Sequence, residues 1–299
     1  MTAPAYALRD GNFIPAIGLG TSGLVDQAGI AAIQGAIDEG YRLIDTAYNY
    51  GNEEVVADAI RRSGVDRSDI MVTTKLPGRH HGFEETLASF EQSRRRLDLD
   101  WVDLYLIHWP NPRIDKYVDA WRAMIRLREK GLVRSIGVSN FTAAMLDRLE
   151  RETQVVPVVN QVELHPYFPQ EELRAYHDEH DIRTESWSPL AKRSELLQEG
   201  VITALAEEKG VTPAQIVLRW HVELEAVPIP KSADAARRRE NLDVFSFDLA
   251  PEEVEAITAL SRGAALGRRP RHARGVLNAR RPERGVPSTR RGSRVGGRG

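Results

Sequence analysis

Gly18-Leu19-Gly20-Thr21-Ser22-Gly23 spells G-x-G-x-x-G, and how it is read decides the fold. It follows an apolar run and precedes a helical pattern, and Asp45 closes the next apolar run roughly 20 residues on. That is the layout of a dinucleotide-binding fingerprint in a doubly wound sheet. The competing reading is a glycine-rich strand-to-helix turn at the mouth of a barrel. The chain on either side separates the two.

Upstream, residues 6–9 and 13–17 flank Asp10-Gly11-Asn12, a tight-turn signal that gives a short opening hairpin. From the glycines onward, short apolar runs alternate with longer amphipathic ones. Strands are expected at 16–19, 43–45, 70–75, 102–107, 133–138, 155–161, 183–187 and 226–229. Most are continuous apolar segments, as parallel strands covered on both faces should be. Helices are expected at 27–40, 53–63, 83–97, 114–130, 142–153, 170–180, 201–209, 212–221 and 234–242, with one more at 251–260 that opens on Pro251. Eight strand–helix units without a linker-like break favour a (β/α)8 TIM barrel over a doubly wound sheet, at about the usual 250 residues for that fold. The active site should then lie at the C-terminal ends of the strands.

The chain has 299 residues, and its 41 Lys and Arg against 43 Asp and Glu give a net charge of −2. No apolar run reaches the about 20 residues of a membrane helix, so no membrane span is expected. The opening MTAPAYALRD has no basic stretch followed by an apolar one, so no secretory signal is expected. Cysteine is absent, which excludes disulfides, thiolate metal sites and a cysteine nucleophile; a cytoplasmic location is the expectation. The charge is unevenly distributed. Residues 262–299 hold 12 Arg and one acid, Glu283, whereas the rest of the chain holds 29 basic and 42 acidic residues. The chain therefore divides into a barrel over 1–261, of net charge −13, and an Arg/Gly/Pro-rich tail over 262–299, of net charge +11. The tail has no aromatic residue and five Leu or Val, too little apolar surface to order itself, so disorder is expected. A phosphate-binding arm, an electrostatic contact with the acidic barrel and a shifted reading frame in a GC-rich gene would each produce such a composition.

Three consecutive strand ends carry charge-bearing chemistry: Asp45 after Leu43-Ile44, Lys75 after Met71-Val72-Thr73-Thr74, and His108 after Leu104-Tyr105-Leu106-Ile107. In a barrel they would face one mouth, and buried charges there need partners. A structural Asp–Lys ion pair beside a satisfied His would also explain them. Tyr50 follows in the loop after Asp45, either as a loop aromatic covering the barrel or as a proton donor to a carbonyl oxygen. A phenol has a pKa of about 10, so it needs help to exchange a proton near neutrality. A neighbouring ammonium held by a carboxylate lowers that pKa.

Gly40-Tyr-Arg-Leu-Ile-Asp45-Thr-Ala followed by Glu53, Arg134-Ser-Ile-Gly-Val-Ser139-Asn140-Phe141, and Ile229-Pro230-Lys231-Ser232 with Arg237 and Asn241 occur in that order. Together they resemble the three signatures of the aldo-keto reductase superfamily, and the chain is similar to its bacterial 2,5-diketo-gluconate reductase type. The resemblance covers residues 5–262. It implies a (β/α)8 barrel that binds NADPH or NADP+ without a Rossmann domain. It also implies hydride transfer to an aldehyde or ketone carbon. On this sequence the catalytic tetrad falls on Asp45, Tyr50, Lys75 and His108. Tyr50 would protonate the oxygen, Lys75 held by Asp45 would lower the Tyr50 pKa, and His108 would position the carbonyl.

The cofactor positions carry over likewise. The resemblance places Thr21 and Asp45 beside the cofactor, gives Ser139, Asn140 and Gln161 the carboxamide, and puts Trp187 on the nicotinamide face. Ser188 to Leu190 would take the pyrophosphate, Lys231 and Arg237 the 2′-phosphate, and Glu240 and Asn241 the adenine, with Ser232 also beside the cofactor. Ser139-Asn140 also reads as a helix cap, and Trp187 as a core tryptophan. Arg238 and Arg239 are expected on a solvated helix face, with Arg238 standing where the family usually has an aliphatic residue. Ser22 and Trp109 are expected to shape the substrate pocket beside His108, Ser22 being small where many relatives carry an aromatic. His80-His81 reads as a surface pair, and no metal is expected. The expected partner is a small carbonyl compound; nucleic acid could enter only through the tail. No heptad or apolar stripe asks for a second subunit, so a monomer is expected. The alternative is a cofactor-sensing protein of the same fold with little turnover, and the intact tetrad argues against it.

Overall fold

In the computed structural model, which describes residues 3–192, 194–263 and 265, apolar runs and amphipathic stretches alternate in space as they do in sequence. β1 (Ala5–Ala7) and β2 (Phe13–Pro15) form an antiparallel hairpin in which Ala5 faces Pro15. Eight parallel strands follow in chain order. They are β3 (Leu19–Gly20), β4 (Leu43–Asp45), β5 (Met71–Leu76), β6 (Val102–Ile107), β7 (Val133–Ser139), β8 (Val159–Glu163), β9 (Arg183–Trp187) and β10 (Val227–Pro228). One helix follows each of the first six: α1 (Asp26–Glu39), α2 (Glu53–Ser63), α3 (Phe83–Leu97), α4 (Tyr117–Glu129), α5 (Ala143–Thr153) and α6 (Glu171–Glu179). α7 (Gly200–Lys209) and α8 (Pro213–Glu223) separate β9 from β10, and α9 (Ala235–Leu242) and α10 (Pro251–Thr258) come last.

The barrel closes where β3 meets β10. The backbone N–H of Gly18 donates to Pro228 O at 3.0 Å and that of Gly20 to Pro230 O at 3.1 Å. Both prolines lack an N–H, so here they can only accept, and the two glycines supply the donors. The approach leaves no room for side chains. A Cβ on Gly20 would lie 2.9 Å from Ile229 O, and one on Gly18 would lie 2.7 Å from Leu43 Cγ. Gly23 serves differently: its φ of +77° is the left-handed turn into α1. The glycine-rich motif is therefore a barrel seam and a turn.

Inside the barrel, Leu43, Leu104, Leu106, Val159, Val227 and Ile229 form one buried cluster with Leu8 and Ile14 from the hairpin region. The hairpin is held to β7 by Asn12 Nδ2 donating to Ser135 Oγ and by Ser135 Oγ donating to Asp10 Oδ2. A larger cluster between strands and helices is built around Trp121, Phe90, Tyr105 and Phe141. α8 starts on a capping box, with Thr212 and Gln215 bonding each other's backbone N–H and Pro213 at its first position.

Some boundaries move for identifiable reasons. β8 begins at Val159 and not at 155, because Pro157 offers no ladder donor and the Val155 carbonyl is taken by Trp121 Nε1. α4 begins at Tyr117 and not at 114, since Asp115 has a φ of +54°. The tail reading at 262–299 lies outside the described residues apart from Arg262, Gly263 and Ala265. Arg262 is docked: its N–H donates to Tyr167 O, its guanidinium pairs with Glu199 at 2.7 Å, and it stacks 3.7 Å over the Tyr167 ring.

Gly20→Ala should force the seam apart at a backbone oxygen that cannot step aside. We expect a loss of about 1–3 kcal/mol, read as a Tm lower by several degrees. An unchanged Tm would show that the seam tolerates a side chain.

Candidate active site

Strand register brings the polar strand ends together. Asp45 lies opposite Thr73, and Lys75 is two residues further along β5 on the same face. Lys75 lies opposite Leu106, and His108 is again two residues further on. Ser139 lies opposite Gln161, and Gln161 opposite Glu185. The stagger that closes a barrel thus stacks these side chains at one end of it.

Lys75 is fully buried, and its Nζ donates to Asp45 Oδ1 at 2.6 Å, to Asp45 Oδ2 at 2.7 Å and to Thr46 O at 2.9 Å. Two of these oxygens belong to one carboxylate, which holds the ammonium in place. Burial works to lower the Lys75 pKa, but Asp45 and the neighbouring Tyr50 outweigh it, and the ammonium is held above its ordinary value. Tyr50 ends a single helical turn after β4, stopped by left-handed Gly51, and its ring centroid lies 5.2 Å from Lys75 Nζ. Its ring meets that of His108 edge to face at 5.8 Å. Burial raises the Tyr50 pKa and Lys75 opposes it; the balance is upward, so the ammonium moderates the phenol without reversing the effect of desolvation. His108 is pushed down to about 3 by burial, with Lys75 adding to it, and its Nδ1 has no hydrogen-bond partner among the described residues.

A cavity of about 580 Å³ opens over this group. Of the residues singled out in sequence, Thr21, Ser22, Asp45, Tyr50, His108 and Trp109 line it from the earlier strand ends. Ser139, Asn140, Gln161, Trp187, Ser188, Leu190 and Lys231 line it from the later ones. Lys75 lies behind Asp45 and Tyr50. Ser232, Arg237, Glu240 and Asn241 are not in its wall; they sit at or just before α9, with Ser232 and Asn241 buried and Arg237 exposed.

The later wall is a hydrogen-bonded chain. Asn140 Nδ2 donates to His108 O and Ser139 Oγ, and Asn140 Oδ1 accepts from Trp187 Nε1 at 2.8 Å. Trp187 is therefore a partly exposed, clamped wall residue and not a core tryptophan. Gln161 Nε2 donates to Asp45 Oδ2 and to Glu185 Oε2, both at 2.8 Å. Asn140 and Ser188 hold φ values of +65° and +53°, left-handed conformations that non-glycine residues adopt at some cost, here at two points of the cavity wall.

Three sequence readings need correction or completion. Arg238 is not on a solvated face: it is 4% exposed, pairs with Glu39 through Nε at 2.8 Å and Nη2 at 3.0 Å, and donates to Ala233 O. Gly35 on α1 leaves the space its guanidinium fills. His81 is not a surface residue either: it is 4% exposed, and burial holds it down to about 4, while His80 is the partly exposed member and meets Ser89 Oγ. Glu185 was not singled out, although a carboxyl group in a barrel strand, two before Trp187 and so on its face, was a readable signal. Burial and then Asp45 push its carboxyl up to about 8. Gly20, Pro189, Lys192, Ile229 and Pro230 complete the cavity. Among the described residues no group of three metal-ligating side chains occurs.

His81, His177 and His221 are buried and held down to about 4, 3 and 3, first by burial. Unfolded, they would protonate below about pH 6.5. Each therefore contributes stability that is present above that pH and lost as the pH falls, by up to about 1.4 kcal/mol per unit. Glu185, with its raised pKa, contributes the opposite slope between pH 8 and the unfolded carboxyl value, but it is one group against four, since His108 acts in the same sense as these three. The Tm should hold near pH 7 and fall steadily below 6.5. A flat Tm down to pH 5 would show that these imidazoles can charge in the folded state.

Comparison with known proteins gives one consistent result. The model of the aldo/keto reductase family matches residues 16–262. The 2,5-diketo-D-gluconic acid reductase B of a Corynebacterium species is 59% identical over 260 residues, 87% of this chain and 94% of that protein. Methylglyoxal reductase DkgA of Escherichia coli is 46% identical over 261 residues, again 87% and 94%. The crystal structure of a Bombyx mori aldo-keto reductase in complex with NADP superposes with a TM-score of 0.83 at 35% identity, over 89% of this chain and 95% of that one.

Proposed function

The chain belongs to the aldo/keto reductase family, and from that premise we propose that it reduces aldehydes and ketones, dicarbonyls among them, to alcohols with NADPH. The observation that carries the reading is the buried Asp45–Lys75 pair set against Tyr50 in the cavity wall.

The residues present fit the cofactor. Gln161 has both amide hydrogens turned inward, so what it can offer the cavity is its oxygen, an acceptor suited to a carboxamide. Trp187, clamped through its Nε1, offers a flat apolar wall. At the other end, Lys231 and Arg237 are exposed and have no carboxylate within ion-pair distance among the described residues, whereas Arg238 and Arg239 both engage Glu39. Two unpaired cations suit the 2′-phosphate that distinguishes NADPH from NADH. When bound, the cofactor supplies the hydride that reaches the carbonyl carbon.

The chain's own residues supply the proton. Two groups face the reacting oxygen, Tyr50 and His108. Burial and then Lys75 hold His108 well below its ordinary value, so near neutrality it serves as a hydrogen-bonding, positioning group and not as an acid. Tyr50 Oη keeps its proton until negative charge develops on the carbonyl oxygen, and then releases it. The resulting phenolate faces the Lys75 ammonium, which Asp45 and the Thr46 carbonyl hold in place. Ser22 and Trp109 border the remaining space, and a small serine there leaves room for polar or dicarbonyl compounds. The proposal includes a monomer in a reducing cytoplasm, in keeping with a chain that has no cysteine.

Tyr50→Phe should lower kcat on a methylglyoxal-like dicarbonyl by about 10²-fold or more while leaving the Kd for NADPH within about twofold. Retained turnover would remove Tyr50 as the proton donor. Arg237→Ala should weaken NADPH by about tenfold or more and NADH hardly at all, as loss of a charged hydrogen bond to phosphate predicts. Equal losses for both cofactors would remove the basis for the NADPH preference.

A further inference from the structure

The tetrad does not use every charged group buried in this barrel. Glu185, in the middle of β9, has no exposed surface, and its Oε1 has no hydrogen-bond partner among the described residues. Its other oxygen, Oε2, accepts from Gln161 Nε2 at 2.8 Å. Gln161 lies directly opposite it on β8, so the two side chains share one face of the barrel. The same Nε2 donates to Asp45 Oδ2, also at 2.8 Å.

An amide nitrogen has two hydrogens and accepts nothing. Here both are committed, one to each carboxyl group, on two different strands. A single acceptor would hold the nitrogen but leave the amide free to pivot about that bond. Two acceptors fix its plane and leave Oε1 as the only hydrogen-bonding atom that Gln161 can turn to the cavity. Asp45 cannot hold the amide alone with the same firmness, because both its oxygens also serve the Lys75 ammonium.

We propose that Glu185 is a positioning residue that locks the Gln161 amide with its oxygen toward the cavity, so that the site selects pyridine rings bearing a hydrogen-bond donor. The inference rests on the NADPH reading above and deepens it: the lock reads the carboxamide as a donor. The lock needs an acceptor and not a charge. Burial and Asp45 push the Glu185 carboxyl up to about 8, and a protonated carboxyl still accepts through its carbonyl oxygen. A glutamine in its place would accept in the same way, whereas methionine would not. Aspartate would keep a buried carboxyl but draw it back from Nε2 by one methylene.

The test is calorimetric titration of the full chain and its variants with three ligands. NADP+ carries the carboxamide, its 3-acetylpyridine analogue carries a methyl ketone of similar size without N–H donors, and 2′-phospho-ADP-ribose lacks the ring. The wild type should prefer NADP+ over the analogue by about threefold to tenfold, the range of one neutral hydrogen bond. Glu185→Met should bring that ratio close to one by weakening NADP+ alone. Glu185→Gln should keep it, and Glu185→Asp should fall between. All four proteins should bind 2′-phospho-ADP-ribose within about twofold of each other. If Glu185→Met does not fold, the Asp and Gln variants still decide, since only a lock separates them. A wild type without preference for NADP+, or equal ratios in the Asp and Gln variants, would overturn the inference. Weakening of all three ligands together would show a structural role and overturn it as well. A wild type that binds none of them would instead overturn the NADPH reading itself.

Discussion

An ammonium with no exposed surface governs the upper end of this barrel. Lys75 is surrounded by protein, and oxygens of Asp45 and Thr46 hold its ammonium while Tyr50 adds to Asp45 in favouring the charge. Without them the buried cation would cost several kcal/mol. Those oxygens come from β4 and the residue after it, so the ion pair requires β4 and β5 to lie side by side in one register. That register places Asp45 beside Thr73 and so brings Lys75, two residues on, to the same face. A slip of one residue would turn Lys75 outward and leave Asp45 buried alone.

From this pair the polar structure spreads around the rim in two directions. Asp45 also receives Gln161 from β8, and Gln161 ties in Glu185 from β9. His108 presents its carbonyl to Asn140, and Asn140 clamps Trp187. Six strand ends are thus joined by side-chain hydrogen bonds before any ligand arrives, which is the preorganisation a hydride-transfer site needs. The groups also differ in charge for physical reasons. Burial pushes the Tyr50 and Glu185 pKa values up and that of His108 down, so all three favour their uncharged forms around the Lys75 ammonium.

Much of this was legible in the sequence. Leu43–Asp45, Val102–Ile107 and Arg183–Trp187 have the bounds expected from the sequence, and Asp45 and His108 stand where the first two stop. The glycine motif was legible as a turn, but its role at a seam was not, because the prolines that accept from Gly18 and Gly20 lie about 200 residues away in the chain. Glu185 escaped notice because its meaning depends on Gln161 across the sheet, a pairing that only the register of β8 and β9 reveals. His81 escaped because two adjacent histidines in a loop read alike, whereas the loop buries one and leaves the other partly open.

The arginine run at the start of α9 shows the same limit from another side. As a string, Arg237, Arg238 and Arg239 are three equivalent positive charges. On a helix, successive side chains diverge by about 100°, so the three must face different surroundings. Arg238 turns inward, where Glu39 and the space beside Gly35 receive it; Arg239 reaches the same carboxylate from the solvent side; Arg237 stands clear of both. The buried member anchors α9 against α1 and thereby fixes the direction in which the unpaired one projects. Removing the inward charge would therefore disturb the outward one, even though the two never touch. The cation available to a phosphate is set by the cation that is not.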